Sequence, residues 1–415
     1  GINWGDEGKG RMVDLLSADY DIVCRYQGGN NAGHTVINDY GKIVLNLLPS
    51  GISREGTVNV MGNGMVIDLE HLVHEIQSLR DKGIHIGPDN LKISDKAVIC
   101  LPWHKMQDIM EEDRLKDKKF GSTRRGIGPV YADKYMKKAI RLGDLFAPDK
   151  LPEKVADLTE WKNLTVRGYG HEPVKAEDIL AWLHEFGDPI KPYITDVSDY
   201  LYDAATAGEN IMFEAQLGAL RDIEFGIYPY TSSSCTLAGY ATIGAGIPGL
   251  KLNKTIGIMK AYSSCVGEGP FTVEMFGDEA EALRRAGGEY GAATGRPRRV
   301  GAFDIPASRY GVRMHGADCI ALTKMDVLSY MDKIPVCVAY DINGEITEKF
   351  PVGERLNAAK PVFEYMEGFG DISGCRKPED LPKAAMDYIR YLEAAVGCKI
   401  KYVSVGAGRD EYVEL

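Results

Sequence analysis

Residues 5–10 constrain the fold most, because they hold three glycines, two carboxylates and one lysine and lead directly into the apolar stretch 12–16. A glycine-rich turn followed by a helix presents backbone N–H groups and the positive end of the helix, and both attract phosphate. The Gly8-Lys9 step matches the Walker A pattern, although Gly10 stands where that pattern has serine or threonine. The segment therefore predicts a variant phosphate-binding loop, with an ordinary glycine-rich turn as the alternative.

Apolar, β-branched runs alternate with amphipathic stretches along the rest of the chain. Strands are predicted at 21–26, 57–61, 211–213, 255–259, 319–322, 336–339 and 400–403, and helices at 68–79 and 193–207. This alternation is typical of an α/β fold with a large, mostly parallel central sheet covered by helices. We expect a P-loop-NTPase-like fold with inserted loops, formed by residues 1–415 as a single domain, in which the charged stretch 111–119 is a mobile loop.

Charge and cysteine usage narrow the range of partners and compartments. A net charge of −11 argues against non-specific binding to nucleic acid or to an anionic membrane. The eight cysteines are scattered, with no C-x-x-C pair, which suits buried thiols in a reducing compartment. We therefore expect a cytoplasmic protein that binds neither nucleic acid nor membrane. Because a phosphate loop normally follows a buried strand, we also expect natural residues upstream of Gly1.

Two long motifs resemble the amino-terminal signature of adenylosuccinate synthetases. The first is Trp-Gly-Asp-Glu-Gly-Lys-Gly at 4–10 with Val-Asp-Leu-Leu at 13–16, and the second is Arg-Tyr-Gln-Gly-Gly-Asn-Asn-Ala-Gly-His-Thr at 25–35. The resemblance implies GTP-dependent ligation of inosine monophosphate (IMP) and L-aspartate to adenylosuccinate through 6-phosphoryl-IMP, with release of GDP and phosphate. The alternatives are a related ligase for another 6-oxopurine nucleotide and a GTP-binding module without ligase activity.

Asp6 and His34 are the predicted catalytic residues, together with Lys9. Asp6 would remove the N1 proton of the purine so that O6 can attack the γ-phosphate of GTP, and Lys9 would stabilise the oxyanion. The resemblance implies that Asp6 and the carbonyl of Gly33 bind Mg²⁺, a cation that prefers oxygen ligands. We expect His34 in a glycine-rich loop outside the core, where it could donate to a phosphate oxygen or protonate the β,γ-bridging oxygen. The alternatives are a helix-capping Asp6 and an exposed loop histidine.

A second glycine-rich loop, at 121–131, carries hydroxyls and arginines that suit a phosphate. The resemblance implies that Thr123 and Arg125 contact the phosphate of IMP, and that a cation from the other subunit of a homodimer joins them. This chain has Lys137 at that position, which keeps the charge of the family's arginine but not its bidentate fork. The alternative for Lys137 is a solvated basic helix face.

The stretch Phe-Glu-Ala-Gln-Leu-Gly at 213–218 departs from the family pattern Phe-Glu-Gly-Ala-Gln-Gly. Leu217 stands where the family has a catalytic glutamine that touches IMP, and we assign that role to Gln216. The further contacts that the resemblance implies for IMP and aspartate are Asn31, Ser232, Val266, Thr294, Gly295 and Arg296.

Thr-Lys-Met-Asp at 323–326 follows a predicted strand and resembles the guanine-reading N-K-x-D motif of GTPases. A carboxylate at Asp326 would accept from guanine N1–H and the 2-amino group, and would remain unpaired opposite adenine. The sequence therefore favours GTP over ATP. The residues predicted to bind GTP are Gly5, Glu7, Gly8, Lys9, Gly10, Thr35, Arg298, Lys324, Asp326, Ser404 and Gly406.

Overall fold

The structure is a computed structural model that describes residues 1–290, 295 and 297–415. Its helices are α1 Lys9–Leu16, α2 Leu69–Arg80, α3 Pro102–Leu115, α4 Ile127–Tyr135, α5 Leu151–Gly168, α6 Ala176–Gly187, α7 Val197–Ala207, α8 Ala241–Ala245, α9 Gly277–Gly287, α10 Ile305–His315, α11 Glu354–Asn357 and α12 Lys383–Val396. Its strands are β1 Ile22–Arg25, β2 His34–Asn38, β3 Gly41–Leu45, β4 Val58–Met61, β5 Val66–Ile67, β6 Leu91–Ser94, β7 Val98–Ile99, β8 Ile194–Thr195, β9 Ile211–Glu214, β10 Ile256–Lys260, β11 Ser263–Cys265, β12 Arg299–Gly301, β13 Phe303–Asp304, β14 Cys319–Thr323, β15 Lys333–Ile342, β16 Glu345–Thr347, β17 Ala359–Glu367, β18 Ile400–Ser404 and β19 Tyr412–Glu414.

Two parallel sheets form the centre of the molecule. The first has five strands in the order β8-β6-β4-β1-β9, and the second has β10-β14-β18 with β19 added antiparallel at its edge. Residues 1–3 connect β10 to the 3₁₀ turn Ala219–Arg221 beyond β9, because the amide of Ile2 donates to the carbonyl of Ile258 (2.9 Å) and the amide of Leu220 donates to that of Asn3 (3.0 Å). The predicted α/β fold with a mostly parallel central sheet and surrounding helices is confirmed.

Helices form where capping residues and apolar spacing agree. Asp68 caps α2 by accepting from the amide of His71 (3.3 Å), and α2 buries Leu69, Leu72, Ile76 and Leu79. The predicted helix at 193–207 is right at its end and wrong at its start, because Asp196 accepts from the amides of residues 198 and 199 and so begins α7.

The interpretation of 111–119 as a mobile loop is wrong. The helix α3 continues to Leu115 and a short 3₁₀ turn follows it. The buried Glu112 explains the difference, since its carboxylate accepts from the amides of Phe120 (3.1 Å) and Gly121 (3.2 Å). In this charge-rich stretch, the carboxylate of Glu112 thus faces inward and holds the residues that follow the 3₁₀ turn.

Several of the predicted site residues follow the carboxyl ends of parallel strands in the two sheets. β1 leads to the loop 26–33, β9 to Gln216, β14 to Lys324 and β18 to the 405–411 loop. Ligands bind at these ends in open α/β sheets. In the described part of the chain, no helix is both long enough and apolar enough to cross a bilayer.

Candidate active site

The phosphate loop is braced by an ion pair of its own. Lys9 Nζ lies 2.8 Å from Glu7 Oε2, and Glu7 Oε1 accepts from the amides of Asn3 (3.0 Å) and Gly5 (2.9 Å). Burial favours the neutral acid, but the charge of Lys9 and these hydrogen bonds outweigh it and hold the pKa of Glu7 below its usual range. With 3% of its side chain exposed, Glu7 shapes the loop from inside.

Gly10 departs from the Walker A pattern for a steric reason. A Cβ at this position would lie 2.7 Å from the Cβ of His34 and 3.2 Å from Ser50 Oγ. The glycine therefore allows α1 to approach the start of β2 closely, and the contact places His34 beside the phosphate loop.

Asp6 has a backbone conformation that is rare for a side-chain-bearing residue, with φ of 57°. Its side chain is 28% exposed, and Oδ2 lies 3.3 Å from an Nη atom of Arg298. Such strained residues are concentrated at functional sites. The loop thus presents a partly exposed carboxylate at the mouth of the phosphate site.

His34 is not in an exposed loop, as the sequence suggested, but is the first residue of β2 with 6% of its side chain exposed. Its Nδ1 lies 2.5 Å from Oε1 of the buried Glu214. The carboxylate of Glu214 also accepts from the amide (2.7 Å) and the hydroxyl (2.6 Å) of Ser50. His34 Nε2 is buried and has no hydrogen-bond partner among the described residues.

Burial and the Glu214 contact act in opposite directions on the protonation of His34, and the net effect lowers its pKa. Burial lowers the pKa of His34, and Glu214 opposes that shift; burial raises the pKa of Glu214, but its contact with His34 brings it below the ordinary value. Because Nδ1–H faces the carboxylate, Nε2 carries a proton only in the imidazolium form. The pair therefore suits a histidine that donates from Nε2 while Glu214 balances the charge.

Sequence reasoning missed Glu214 and a second buried glutamate, Glu289. Glu289 accepts from Lys260 Nζ (2.8 Å), Tyr262 Oη (2.5 Å) and Arg298 Nη1 (3.0 Å), and Lys324 Nζ lies 3.4 Å away. Two cues were present, since Glu214 stands inside the 213–218 motif and Glu289 directly precedes the arginine-rich loop. Through Arg298, Glu289 connects the Thr-Lys-Met-Asp motif to Asp6.

Asp326 supplies an unused acceptor at the end of β14. Oδ1 is buried without a hydrogen-bond partner in the described part of the chain, and burial raises the pKa of the carboxyl group. The left-handed Lys324 (φ 56°) turns the backbone into the 3₁₀ turn that carries Asp326. An orphaned carboxylate oxygen fits the paired N–H donors of guanine.

Arg11 of α1 binds the end of β18 and the loop after it, which carry two of the residues predicted to bind GTP. It donates to the hydroxyl of Ser404, to the carbonyl of Gly408 (2.7 Å) and to that of Glu411 (2.9 Å). The hydroxyl of Ser404 also donates to the carbonyl of Gly406 (3.0 Å). The loop after β18 is therefore tied to the helix that follows the phosphate loop, which sequence reasoning did not foresee.

The second glycine-rich loop is tethered to α3 by Asp108. Its carboxylate accepts from the hydroxyl of Ser122 (2.6 Å) and the amide of Gly126 (2.8 Å). Thr123 and Arg125 between these anchors are exposed. Lys137, just beyond the end of α4, is also exposed.

Gln216 is buried at the end of β9. Its Nε2 donates to the carbonyl of Gly29 (2.9 Å), and its Oε1 is without a hydrogen-bond partner among the described residues. Leu217 has a left-handed backbone (φ 60°) and packs against Gly5, where a Cβ would lie 3.4 Å from Leu217 Cδ2. The two side chains thus diverge, with Gln216 toward the 28–29 loop and Leu217 toward the phosphate loop.

The remaining predicted residues lie on several loops, except Thr35, which is the second residue of β2. Asn31 Oδ1 accepts from the amide of Gly29 (3.1 Å), and Ser232 Oγ lies 3.2 Å from Ser234 Oγ. Gly33, Thr35 and Gly295 are exposed, and Val266 is 54% exposed. Thr294 and Arg296 fall outside the described residues.

The donor set near Asp6 is consistent with a nucleotide-held Mg²⁺. The described residues contain no cluster of three or more histidine, cysteine, aspartate or glutamate side chains that could hold a metal by themselves. Mg²⁺ is usually bound by one or two carboxylates together with substrate phosphates and water. A single partly exposed carboxylate at the phosphate loop fits that ion.

The chain matches one family over nearly its whole length. The family model described as adenylosuccinate synthetase matches residues 1–413. The adenylosuccinate synthetase of Caldanaerobacter subterraneus subsp. tengcongensis is 44% identical over 418 aligned residues, which cover 100% of this chain and 98% of that protein. The structure of fully ligated adenylosuccinate synthetase from Plasmodium falciparum matches with a TM-score of 0.92 and 36% identity, covering 100% of this chain and 98% of that chain.

A more distant structure resembles the chain in fold alone. Cyanophage S-2L succinoaminodeoxyadenylate synthetase, bound to dGMP and dATP, is 18% identical with a TM-score of 0.61, covering 100% of this chain and 93% of that chain. The matches favour neither a ligase for another 6-oxopurine nucleotide nor a non-catalytic GTP-binding module. The protein is a ligase of purine nucleotide biosynthesis that uses GTP to join IMP and L-aspartate into adenylosuccinate. The chain belongs to the adenylosuccinate synthetase family.

Proposed function

We propose that Asp6 is the general base and His34 the general acid of a phosphoryl transfer from GTP to O6 of IMP. The observation that carries this assignment is the His34–Glu214 contact of 2.5 Å, which leaves a buried Nε2 beside the phosphate loop. A carboxylate and a histidine at one phosphate site can accept and donate protons in the same step.

In this step Asp6 accepts the N1 proton, and O6 attacks the γ-phosphorus. The bond between the γ-phosphorus and the β,γ-bridging oxygen breaks at the same time. His34 donates its Nε2 proton to that oxygen as GDP forms. Lys9, at the amino end of α1, stabilises the phosphate charge, and the amine of aspartate then replaces phosphate at C6. Asp6 and the carbonyl of Gly33 would hold Mg²⁺, which supplies positive charge to the phosphate oxygens.

GTP binds between the phosphate loop and the ends of β14 and β18 in this proposal. The orphaned Oδ1 of Asp326 accepts from guanine, and Lys324 and Ser404 line its surroundings. The residues assigned to GTP binding are Gly5, Glu7, Gly8, Lys9, Gly10, Thr35, Arg298, Lys324, Asp326, Ser404 and Gly406. Glu7 acts through Lys9 and the loop amides rather than by direct approach.

IMP lies on the opposite side, and aspartate binds at the 294–296 loop. The assigned contacts are Asn31, Thr123, Arg125, Gln216, Ser232 and Val266 for IMP and Thr294, Gly295 and Arg296 for aspartate. Lys137 reaches the neighbouring site of a homodimer. Because the assigned residues run from 5 to 406, we also propose that residues 1–415 function as one domain. A cytoplasmic location suits eight free cysteines, seven of them buried.

Positional isotope exchange tests the phosphoryl transfer directly. The protein is incubated with Mg²⁺, IMP and GTP labelled with ¹⁸O in the β,γ bridge, without aspartate. We expect the label to move into non-bridging β positions only when IMP is present, because GDP must form and rotate within the site. Exchange that is absent in the parent, or undiminished in Asp6→Asn and His34→Asn, would contradict the proposal. Addition of aspartate should yield adenylosuccinate by mass, and more slowly with ATP.

A further inference from the structure

Arg221 is a buried arginine that, among the described residues, donates to carbonyl oxygens and a thiol and pairs with no carboxylate. It ends the 3₁₀ turn Ala219–Arg221 beyond β9, and its relative exposure is 8%. Its guanidinium donates to the carbonyls of Tyr230 and Val266 (the latter at 2.5 Å) and to Cys265 Sγ (2.9 Å). Burying a charge costs free energy, and here the hydrogen bonds to these acceptors are what offset that cost.

The same guanidinium lies over the ring of Trp4, 5.2 Å from its centroid. This distance is typical of a cation–π contact. Trp4 directly precedes Gly5 and Asp6 in the phosphate loop. The backbone of Arg221 adds a further link, since its carbonyl accepts from the amide of Ser232 (2.8 Å).

One residue therefore joins three segments that are distant in sequence. They are the phosphate loop through Trp4, the 228–232 loop through Tyr230 and Ser232, and the 265–268 loop through Val266. Ser232 and Val266 are assigned above to IMP. None of these contacts involves the guanine-binding residues at the ends of β14 and β18.

We propose that Arg221 is a positioning residue that holds Ser232 and Val266 at the distance IMP requires. This inference rests on the proposed assignment of those two residues. The planar fork of arginine reaches Tyr230 and Val266 at once, whereas the point charge of lysine cannot hold both in the same geometry. A lysine can still lie over the ring of Trp4, so loss of the fork should loosen the two IMP loops more than the phosphate loop.

The test compares Arg221→Lys with a matched control, Arg80→Lys. Arg80 also donates to a backbone carbonyl, that of Ile86 (2.6 Å), and to Tyr193 Oη (2.8 Å), but it lies on α2 away from the site. We expect Arg221→Lys to raise KM for IMP about tenfold, as expected for one lost charge-assisted hydrogen bond, with KM for GTP and kcat within about threefold. Arg80→Lys should leave both KM values unchanged. Thermal unfolding of both variants separates a change in stability from a change in the site.

A milder variant covers the case in which Arg221→Lys folds poorly. Cys265→Ala removes one acceptor of the guanidinium, and we expect a KM for IMP raised about twofold and no additive effect with Arg221→Lys. Equal changes in KM for IMP and GTP, or no change beyond that of Arg80→Lys, would overturn the inference. Ser232→Ala distinguishes the assignment of Ser232 to IMP from the positioning role of Arg221. Unchanged IMP binding in Ser232→Ala would refute the site assignment, whereas weaker binding there with normal binding in Arg221→Lys would refute only the role of Arg221.

Discussion

The proposed GTP side and the proposed IMP side of the site differ in how far their charged side chains are held by buried partners. On the GTP side, Glu7 and Lys9 are buried and paired, and Ser404 is buried against Arg11. On the IMP side, Thr123, Arg125 and Lys137 are exposed. The charged residues assigned to GTP are thus fixed by buried partners, whereas the hydroxyl and the two cations assigned to IMP are exposed to solvent.

This difference indicates where the protein places its fixed charges. Glu7 orients Lys9, and Glu289 orients Lys260, Lys324 and Arg298, so cations are held in place by buried carboxylates before phosphate binds. Preorganised charges stabilise a transition state without further reorganisation. In the proposed assignment, the exposed cations Arg125 and Lys137 would be ordered by IMP or by a neighbouring subunit.

The largest expected effect comes from Asp6→Asn, which breaks the catalytic centre between the two sides. An amide cannot accept the N1 proton, so kcat should fall by about 10³-fold while GDP affinity stays within about threefold of the parent. Steady-state kinetics and equilibrium binding of GDP measure the two quantities. The matched control is Asp39→Asn, at an exposed carboxylate. Turnover near that of the parent would remove Asp6 as the base.

Glu214→Gln should lower kcat by about 10²-fold, because the amide no longer balances the imidazolium of His34. Only protonated His34 donates from Nε2, so activity falls as the pH rises through its pKa. Glu214 raises that pKa against the effect of burial. Its removal should therefore shift the alkaline fall of kcat to lower pH.

The control for Glu214→Gln is Glu75→Gln, at another buried glutamate that accepts from backbone amides. That variant tests the general cost of losing a buried carboxylate. An alkaline limb that stays at the same pH in Glu214→Gln would show that Glu214 does not act through His34.

Asp326→Asn tests the proposed GTP side of the site. The amide cannot accept both guanine donors, and we expect kcat/KM for GTP to fall by about 30-fold. Because the amide can donate to a 2-oxo group, kcat/KM for xanthosine triphosphate should rise. Asp332→Asn, at an exposed aspartate six residues further on, should change neither value. If both variants keep the parent's preference for GTP, guanine is recognised elsewhere.

Lys137→Ala tests the proposed IMP side, where the assigned cations are exposed. It should have the smallest effect, a rise of about threefold in KM for IMP. A ligand shared by two subunits stabilises the dimer, so IMP should strengthen association in the parent and less in the variant. Sedimentation over a dilution series, with and without IMP, measures this difference, and Lys82→Ala at an exposed lysine is the control. Full activity in a monomeric sample would exclude a shared site.

Apolar runs and capping residues in the sequence correctly predicted most of the parallel strands and the helix α2. The strands β1, β4, β9, β10, β14 and β18 lie within one or two residues of their predicted bounds, and α2 begins at its predicted cap. Their signals are apolar runs and capping aspartates, which act within a few residues. The start of α7 was missed although its cap, Asp196, is a local signal of the same kind. The helical form of 111–115 was missed because a charge-rich stretch does not show that Glu112 faces inward.

The sequence by itself was enough to predict the phosphate loop, the alternating α/β pattern and the family. The loop and the family depend on contiguous motifs, and the α/β pattern depends on residues that are close together in the chain. Tertiary structure alone decided that His34 is buried, that Glu214, 180 residues away, holds its Nδ1, and that Gly10 makes room for it. It also decided the clustering of Lys260, Arg298 and Lys324 around Glu289. The physical reason is that a buried charge is stable only beside its partner, and only packing of the sheets determines which distant residue that partner is.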